Sequence, residues 1–327
     1  MTILSCDAVG KRRYIRHDTI MEKRPQLGLG TWAFGDSYWG SQDLRNSKKA
    51  LAAALRGGIS HFDTAQLYAR GKAEQLTGQQ LQGVRGKVTI ATKGMYRPPE
   101  SVMAGIKKSL RRLCSDYIDI FYLHWPKPGV DPRPTMEALD EARRAGYIRA
   151  IGASNVSPAQ LAQLREGARI DYCQIGYSLL WRRPEEDIIP YCRSLGIRVV
   201  TYSSLAQGLL AGRFRALSEV PAEDTRRHMV LFRPECREAV DAAMADFYRL
   251  ADELELPPVQ LALAWNLSRP WADTVLFGAR SREQVEAALP AYTLQLSAAT
   301  EQRLEELSST LLPRLPEEEN IFGHRPR

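Results

Sequence analysis

Eight short apolar runs recur along this chain, each rich in β-branched residues and nearly continuous rather than alternating with polar residues. They lie at 26–30, 60–65, 87–93, 117–124, 148–154, 171–178, 197–203 and 272–279. Continuous apolar runs are typical of parallel strands that are covered on both faces. Because amphipathic helical segments separate the runs, the pattern predicts repeated right-handed βαβ units that close into a (β/α)8 TIM barrel.

An open, doubly wound sheet is the alternative architecture. Residues 28–33, GLGTWA, satisfy the G-x-G-x-x-A pattern of a dinucleotide-binding turn. That pattern also requires an acidic residue about 20 positions later to bind a ribose hydroxyl. Lys48 and Lys49 stand there instead, so the barrel is the favoured prediction.

The interval between the seventh and eighth runs is longer than the others. It contains a polar loop at 213–235, followed by predicted helices near 236–255 and 257–268. In a barrel this loop lies on the carboxyl-end face, where active sites are built. We therefore interpret it as a cover over a bound ligand, with a loose surface excursion as the alternative.

The predicted domain organisation is a single barrel at 25–312 between two tails. Residues 1–24 form the N-terminal tail, and an extra helix follows the eighth run before the C-terminal tail at 313–327. Ile321 and Phe322 are apolar residues in this otherwise polar tail and require a packing partner. We expect the C-terminal tail to pack near the active-site mouth.

Composition and charge exclude several classes of protein. The 327 residues are 44% hydrophobic and 25% charged, as in ordinary globular proteins. The net charge of +7 suits an anionic ligand such as a nucleotide phosphate, but Lys and Arg form no cluster of the kind that nucleic-acid binding requires. Five cysteines without C-x-x-C spacing predict reduced thiols in the cytoplasm and no metal site. No apolar run is long enough to predict a membrane span, and because the N-terminal segment lacks a long apolar core we do not expect a secretory signal.

Four reactive side chains stand at the carboxyl ends of three successive runs, or just beyond them. Asp63 and Tyr68 belong to HFDTAQLYA, Lys93 ends VTIATK, and His124 ends YIDIFYLH. A closed parallel barrel brings such positions to one mouth, so the sequence predicts a single acid/base site. Taken singly, each residue also has a structural explanation, such as core packing for Tyr68 and His124, solvation for Lys93, or turn capping by Asp63.

We expect the amine in this group to tune the phenol. An ammonium about 4 Å from a tyrosine contributes on the order of 4 kcal/mol at an effective dielectric near 20, or up to roughly three pKa units. Burial acts in the opposite direction. The predicted net result is a Tyr68 pKa low enough for proton donation near neutrality. Asp63 would keep Lys93 charged, and His124 would orient a carbonyl oxygen or share the proton.

In chain order, these segments resemble the motifs of the aldo-keto reductases. The motifs are GLGTW (28–32), FDTAQLYARGKAEQLTG (62–78), IATK (90–93), YIDIFYLHWP (117–126), IRAIGASN (148–155), CQIGYSLL (173–180), TYSSLAQGLL (201–210) and FGARSREQV (277–285). The run YSSLAQGLL and the long loop after it resemble the bacterial branch that has potassium-channel-β-like relatives. The resemblance extends over nearly the whole predicted barrel.

The resemblance implies an NADP(H)-dependent oxidoreductase that transfers hydride to an aldehyde, ketone or sugar. Asp63, Tyr68, Lys93 and His124 match the catalytic positions, and Tyr68 would be the acid in reduction and the base in oxidation. The implied cofactor-binding residues are Gly30, Thr31, Trp32, Asp63, Ser154, Asn155, Gln174, Tyr202, Ser203, Leu205, Gly208, Leu210, Gly278, Arg280, Ser281 and Gln284.

Within that set, the resemblance gives individual residues different tasks. Ser154, Asn155 and Gln174 match positions that hydrogen-bond the nicotinamide carboxamide, and Tyr202 matches the aromatic residue that stacks on the ring. Backbone amides in the loop after Tyr202 would meet the pyrophosphate.

The charge near the eighth run favours NADP(H) over NAD(H). Arg280 and Arg282 stand at a predicted helix start, where charge and forked donors favour a phosphate. One departure from the family pattern follows, because Ala287 and Ala288 replace a Glu-Asn pair that often reads the adenine end. The adenosine would then be held more weakly, or by loop residues such as Arg226 and Arg227.

Aromatic residues near the mouth predict a pocket for small carbonyl compounds or sugars. The predicted lining residues are Trp32, Tyr96 and Trp125, together with Trp39 and Trp181. Two other functions remain open at this point. One is a cofactor-sensing regulatory subunit with slow turnover, as in the channel-β-like relatives, and the other is a dehydrogenase working mainly in the oxidative direction.

Overall fold

Eight parallel strands form one closed barrel in chain order in the computed structural model, which describes residues 25–35 and 42–323. The strands are β1 (Gln26–Gly30), β2 (His61–Asp63), β3 (Thr89–Gly94), β4 (Ile118–Leu123), β5 (Ile148–Ser154), β6 (Tyr172–Gly176), β7 (Arg198–Tyr202) and β8 (Ala272–Gly278). Strand β1 pairs with both β2 and β8. The predicted (β/α)8 barrel is therefore confirmed, and the open sheet is excluded.

Helices surround the barrel and connect its strands. They are α1 (Leu44–Arg56), α2 (Lys72–Leu81), α3 (Pro99–Leu113), α4 (Arg133–Arg144), α5 (Pro158–Gly167), α6 (Ile188–Ser194), α7 (Arg237–Glu253), α8 (Pro258–Leu267), α9 (Arg282–Ala288) and α10 (Ala298–Leu311). Within the described ranges, none of them is long and apolar enough to cross a membrane.

The glycine-rich turn at 28–33 has a packing role in this fold. A Cβ atom on Gly28 would lie 2.7 Å from a methyl carbon of Leu276, so the close approach of β1 to β8 requires glycine there. The next described helix, α1, begins only at Leu44, where the Asp43 side chain caps it. The strand–turn–helix geometry of a dinucleotide-binding turn is therefore absent from this segment.

The apolar periodicity of residues 184–196 predicts one continuous helix, but the structure interrupts it. A 3-10 turn spans Arg183–Glu185, and α6 begins at Ile188. Asp187 between them is non-helical, with φ of −142°, and its side chain accepts a hydrogen bond from the Ile188 amide. The apolar periodicity did not reveal this break, because aspartate serves as a helix cap without changing the pattern of buried residues.

The long excursion after β7 packs against the rest of the carboxyl-end face. Arg226 in this excursion is 6% exposed and donates to the Gln207 carbonyl at 3.0 Å. The amide of Val230 donates to the carbonyl of Ile321 at 3.1 Å. The excursion thus contacts both the loop that follows β7 and the segment near the C-terminus.

Candidate active site

A buried ion pair between Lys93 and Asp63 forms the base of the site. The side chains are 1% and 4% exposed, and the Lys93 ammonium donates to Asp63 Oδ1. The same ammonium donates to the Thr64 carbonyl at 2.9 Å and lies 3.4 Å from the Tyr68 hydroxyl oxygen. Strands β2 and β3 are neighbours, so the barrel places the carboxylate, amine and phenol in one contiguous group.

Gln174 completes the coordination of the Asp63 carboxylate. Its Nε2 donates to Asp63 Oδ2 at 2.8 Å across a sequence separation of 111 residues. Both oxygens of Asp63 therefore have charged or polar donors, as a buried carboxylate requires. The sequence predicted a cofactor contact for Gln174, and the structure adds this link to Asp63.

Burial raises the pKa of the Tyr68 phenol well above its ordinary value, and the Asp63 carboxylate raises it further. The sequence-based expectation of a Tyr68 pKa near neutrality is therefore wrong for the free protein. The physical reason is that Asp63 compensates the charge of Lys93, while burial penalises the phenolate. Burial also lowers the pKa of Lys93, and the Asp63 carboxylate opposes that effect.

His124 is a neutral imidazole in this site. Burial lowers its pKa well below the ordinary value, and the nearby Lys93 ammonium lowers it further. Its ring meets the Tyr68 ring edge to face, with centroids 5.9 Å apart. Among the described residues, nothing hydrogen-bonds its buried Nδ1. His124 can therefore act through neutral hydrogen bonding, whereas sharing a proton as imidazolium is disfavoured near neutral pH.

An aromatic cage stands over this group, and Phe322 from the C-terminal segment fills its centre. The Phe322 ring lies 5.9 Å from Trp32 and 5.8 Å from Trp125, and stacks with Tyr202 at 6.2 Å and an interplanar angle of 17°. Trp32 in turn stacks on Tyr68 at 6.3 Å. Sequence reasoning did not assign Phe322 to the site, and the only signal was an apolar pair in a polar tail.

The other aromatic residues predicted for the pocket differ in position. Tyr96 is half-buried, with the Lys127 ammonium 5.5 Å from its ring centroid. Trp181 is 2% exposed and belongs to the continuous hydrophobic core, whereas Trp125 lies outside that core cluster. The placement of Trp181 near the mouth stays a prediction. Trp39 lies outside the described residues.

Strands β5, β6 and β7 bring a second polar group to the mouth. Ser154 Oγ donates to the Gln174 carbonyl at 3.0 Å and accepts from Asn155 Nδ2. Asn155 Nδ2 also donates to the His124 carbonyl at 3.1 Å, and Asn155 Oδ1 accepts from the Tyr202 hydroxyl at 2.5 Å. Asn155 adopts a left-handed φ of 58°. The residues predicted to hold the carboxamide are thus joined in one network.

Strand β1 contributes to the same edge through its last residue and the one after it. Gly30 is the register partner of Asp63, and the hydroxyl and amide of Thr31 both donate to the Asp63 carbonyl at 3.0 and 2.9 Å. Thr31 therefore fixes the end of β2 from the side of β1.

The loop after β7 has a strongly bent backbone. Ser203, Ala206, Gln207 and Gly208 all have left-handed φ angles, and such turns can form concave anion sites. However, the amides of Gly208 and Leu210 donate to the Leu205 carbonyl at 2.9 and 3.2 Å. The expectation that these two amides face a pyrophosphate is therefore not met in this conformation.

Cationic side chains converge beside this loop. Burial lowers the pKa of Arg280, and the positive charges of Arg213 and Arg226 lower it further. Arg280 Nε donates to Gln42 Oε1 at 2.8 Å, which orients the guanidinium. Arg226 is also paired with the Asp224 carboxylate at 2.6 Å, so part of its charge is already compensated. The positive potential of the neighbouring arginines still favours a bound anion. The arrangement fits a nucleotide phosphate.

The remaining predicted cofactor residues lie around the start of α9. Gly278 ends β8, with open space where a side chain would project. The Ser281 side chain caps α9 at the Gln284 amide, and Gln284 Oε1 accepts from the Arg280 amide at 2.7 Å. Ala288 is fully buried, whereas Ala287 is exposed. These contacts give Ser281 and Gln284 a role in shaping the segment that carries Arg280.

Comparisons with known proteins agree with this geometry. The chain is 35% identical over 275 residues to aldo-keto reductase YhdN of Bacillus subtilis, covering 80% of this chain and 83% of the relative. It is 33% identical to the NADH-specific methylglyoxal reductase of Escherichia coli, covering 88% and 95%. Among solved structures, a glycerol dehydrogenase of Gluconobacter oxydans matches with a TM-score of 0.78 and 30% identity, covering 88% and 92%.

A further structural match carries a bound cofactor. An aldo-keto reductase of Klebsiella pneumoniae in complex with NADPH has a TM-score of 0.71 and 27% identity, covering 91% of this chain and 94% of that one. The family model described as aldo/keto reductase family matches residues 26–309, from β1 into α10. On this evidence the chain belongs to the aldo/keto reductase family.

Proposed function

We propose that this protein reduces small aldehydes and ketones with NADPH, and that Tyr68 donates the proton. The observation that carries the proposal is the position of the Tyr68 hydroxyl, 3.4 Å from the ammonium of Lys93, which is itself paired with buried Asp63. This group lies at the carboxyl-end mouth of the barrel, where enzymes of this fold perform their chemistry.

Proton transfer and charge stabilisation fall to the protein in this reaction. A bound nicotinamide would supply the hydride to the carbonyl carbon, and negative charge would then develop on the carbonyl oxygen. Tyr68 donates its proton to that oxygen, and the Lys93 ammonium stabilises the phenolate that remains. Neutral His124 adds a hydrogen bond to the same oxygen without introducing a charge. Asp63 and Gln174 keep the ammonium in place.

The titration of Tyr68 favours reduction over oxidation. Because the pKa of Tyr68 is raised well above its ordinary value, the phenol is protonated throughout the physiological range, and as a weak acid it gives up its proton only when negative charge develops on the substrate oxygen beside it. Oxidation of an alcohol needs the phenolate as a base, so it should accelerate as the pH rises. The intact group of four residues also argues for turnover rather than for a purely regulatory subunit.

The arginine cluster supports NADPH as the preferred cofactor. The positive charges of Arg213 and Arg226 act on Arg280 beside the β7 loop, and the phosphate that distinguishes NADP(H) would be attracted by this positive potential and by the forked donors of Arg280. Similar proteins differ in their cofactor: one relative is named as NADH-specific, and one structural match was solved with NADPH. Titrating both reduced cofactors into the protein, followed by fluorescence, tests the preference. Equal affinity for the two would refute this part of the proposal.

The aromatic cage supports small carbonyl substrates. Trp32, Trp125 and Tyr202 surround a space that the Phe322 ring fills in this structure, so a substrate enters this space only when the C-terminal segment moves aside, and a compound about the size of one phenyl ring then fits it. Aromatic surfaces also accept the apolar faces of sugars. Small aldehydes are therefore the first compounds to test.

Tyr68→Phe tests the assignment of the proton donor directly. The variant removes one hydroxyl, so we expect kcat for NADPH-dependent aldehyde reduction to fall by about a hundredfold or more. Cofactor affinity should remain within about twofold, because the ring is retained. Tyr292→Phe, on an exposed tyrosine that belongs neither to the acid/base group nor to the aromatic cage, is the matched control. Unchanged turnover in Tyr68→Phe would overturn the proposal.

A further inference from the structure

The turn that carries Tyr68 has an unfavourable backbone conformation. Three consecutive residues after Tyr68 have positive φ angles, 45° for Ala69, 55° for Arg70 and 88° for Gly71. Only glycine adopts such angles without cost, so Ala69 and Arg70 store strain that surrounding contacts must hold. The position of the Tyr68 hydroxyl therefore depends on groups outside the turn.

Helix α3 supplies those contacts from one stripe of its surface. Gly105, Ser109 and Arg112 are spaced by four and three residues and share one face of the helix. Gln66 Nε2 donates to the Gly105 carbonyl at 3.1 Å and to Ser109 Oγ at 2.9 Å. Arg112 Nη2 donates to the Arg70 carbonyl at 3.3 Å. The segment on either side of Tyr68 is thus attached to α3 at two points.

Arg112 extends this attachment to the strand that bears Lys93. Its Nη1 pairs with Glu74 Oε2 at 2.9 Å, and the Glu74 side chain has no solvent exposure. The other carboxylate oxygen, Oε1, accepts from Thr92 Oγ1 at 2.8 Å. Thr92 directly precedes Lys93 in β3. The chain of contacts therefore runs from the Tyr68 turn to the backbone of the amine that faces the phenol.

Gly71 is part of the same arrangement. A Cβ atom at this position would lie 2.1 Å from the Arg112 guanidinium carbon, and the backbone φ is 88°. The turn therefore leaves space for the guanidinium next to its own backbone. This packing helps to fix the distance between the turn and α3, together with the hydrogen bonds from Gln66 and Arg112.

We propose that Arg112, Glu74 and Thr92, here called the turn brace, are positioning residues for the general acid. They hold the strained Tyr68 turn against β3 and so set the 3.4 Å separation between Tyr68 and Lys93. The inference rests on the proposed function, since it gives the brace its effect on proton transfer. Within residues 25–35 and 42–323, no hydrogen bond or ion pair joins the brace side chains to the predicted cofactor residues or to the aromatic cage, so the brace should act on turnover and not on binding.

The test uses a double variant that leaves no unpaired buried charge. Arg112→Met/Glu74→Gln removes both charges and retains an amide oxygen for Thr92. Its matched control is Arg85→Met/Asp119→Asn at the opposite end of the barrel. Arg85 and Asp119 form a comparably buried pair at 2.7 Å, and Asp119 also accepts from the Ile90 amide in β3. Both double variants remove an arginine–carboxylate link to the same strand.

The expected result is a change in kcat without a change in binding. Misplacement of a reacting group by about 1 Å costs up to a hundredfold in rate, so we expect the brace variant to lose between about tenfold and a hundredfold in kcat. Its cofactor affinity and substrate KM should stay within about twofold. The control pair should keep wild-type kcat at a comparable loss of thermal stability. Assays are run well below each unfolding midpoint.

Two results would overturn the inference. One is a brace variant that keeps wild-type kcat while Tyr68→Phe is inactive, which refutes the brace and leaves the proposed function intact. The other is an equal loss of kcat in the brace and control variants, which would reduce the brace to general stability. Arg112→Lys adds a rescue test, because lysine keeps the ion pair with Glu74 but lacks the fork that also reaches Arg70. Arg112→Lys should have a kcat between those of the double variant and the wild type. A kcat as low as that of the double variant would contradict a positioning role for the Arg112–Glu74 ion pair.

Discussion

Removing the Lys93 amine should destabilise the protein far more than removing the whole ion pair. In Lys93→Met, the Asp63 carboxylate stays buried at 4% exposure, and among the described residues only the Gln174 amide still donates a side-chain hydrogen bond to it. Breaking one partner of a buried pair costs about 3–5 kcal/mol. At roughly 2–4 °C per kcal/mol, the thermal midpoint should fall by about 6–20 °C.

The double variant Lys93→Met/Asp63→Asn separates the charge from the packing. It removes both charges while the asparagine carbonyl still accepts from Gln174. Neutral replacement of a buried pair is often close to isoenergetic, so the double variant should recover most of the stability that the single variant loses. Thermal unfolding followed by circular dichroism, on matched buffers, measures the difference.

The pH dependence of that difference has a defined sign. An unpaired buried carboxylate has a folded pKa above its unfolded value near 3.9. Such a group contributes stability below the unfolded pKa, and this contribution is lost as the pH rises through the folded pKa. The single variant should therefore approach the double variant as the pH is lowered from 7 towards 4. A single variant within about 1 kcal/mol of wild type at pH 7 would refute the view that Asp63 is ionised and dependent on Lys93.

Three further results are expected. Arg280→Met should weaken NADPH binding about tenfold, the value of a charged hydrogen bond, and leave NADH binding unchanged in fluorescence titrations; equal losses would contradict a phosphate contact. Phe322→Ala should raise kcat/KM for bulky aromatic aldehydes relative to propanal, since it empties the space between Trp32 and Trp125; an unchanged ratio would show that the ring does not limit the pocket. Burial lowers the pKa of both His61 and His124, so the unfolded state binds more protons than the folded state below pH 6.5. The thermal midpoint should therefore fall on acidification, because the free energy of unfolding decreases by up to about 1.4 kcal/mol per pH unit for each histidine. His61→Leu should reduce this slope, and an identical slope would contradict a lowered pKa for buried His61.

The fold and the four acid/base residues were predictable from sequence because their signals are local. A continuous apolar run indicates a strand that is covered on both faces. The residue at the carboxyl end of such a run is predicted to lie at the carboxyl-end mouth of the barrel. Asp63, Lys93 and His124 are placed by this reasoning alone. The break before α6 was missed, because an aspartate at a helix start does not disturb the apolar pattern.

The parts that sequence did not reveal depend on contacts between distant segments. The hydrogen bond from Gln174 to Asp63 joins residues 111 positions apart, and no spacing rule predicts it. The pKa of Tyr68 was predicted in the wrong direction for the same reason. A sequence shows that an amine is near the phenol, but the competing effects of burial and of Asp63 become known only when the side chains are placed.

In the absence of ligand, the site contains one ion pair and two neutral groups, and it therefore carries no net charge. Lys93 and Asp63 cancel in charge, while the shifts in the pKa values of Tyr68 and His124 keep both neutral near pH 7. A carbonyl substrate is neutral as well, so its binding gains little from these groups. Negative charge on the oxygen arises only as hydride arrives, and the phenol proton and the Lys93 charge are then in place to stabilise it. Interactions that strengthen only in the transition state raise kcat rather than substrate affinity. Substitutions at Tyr68, Lys93 or the turn brace should therefore lower kcat, while substitutions in the aromatic cage should alter KM, and the opposite distribution would contradict this division of roles.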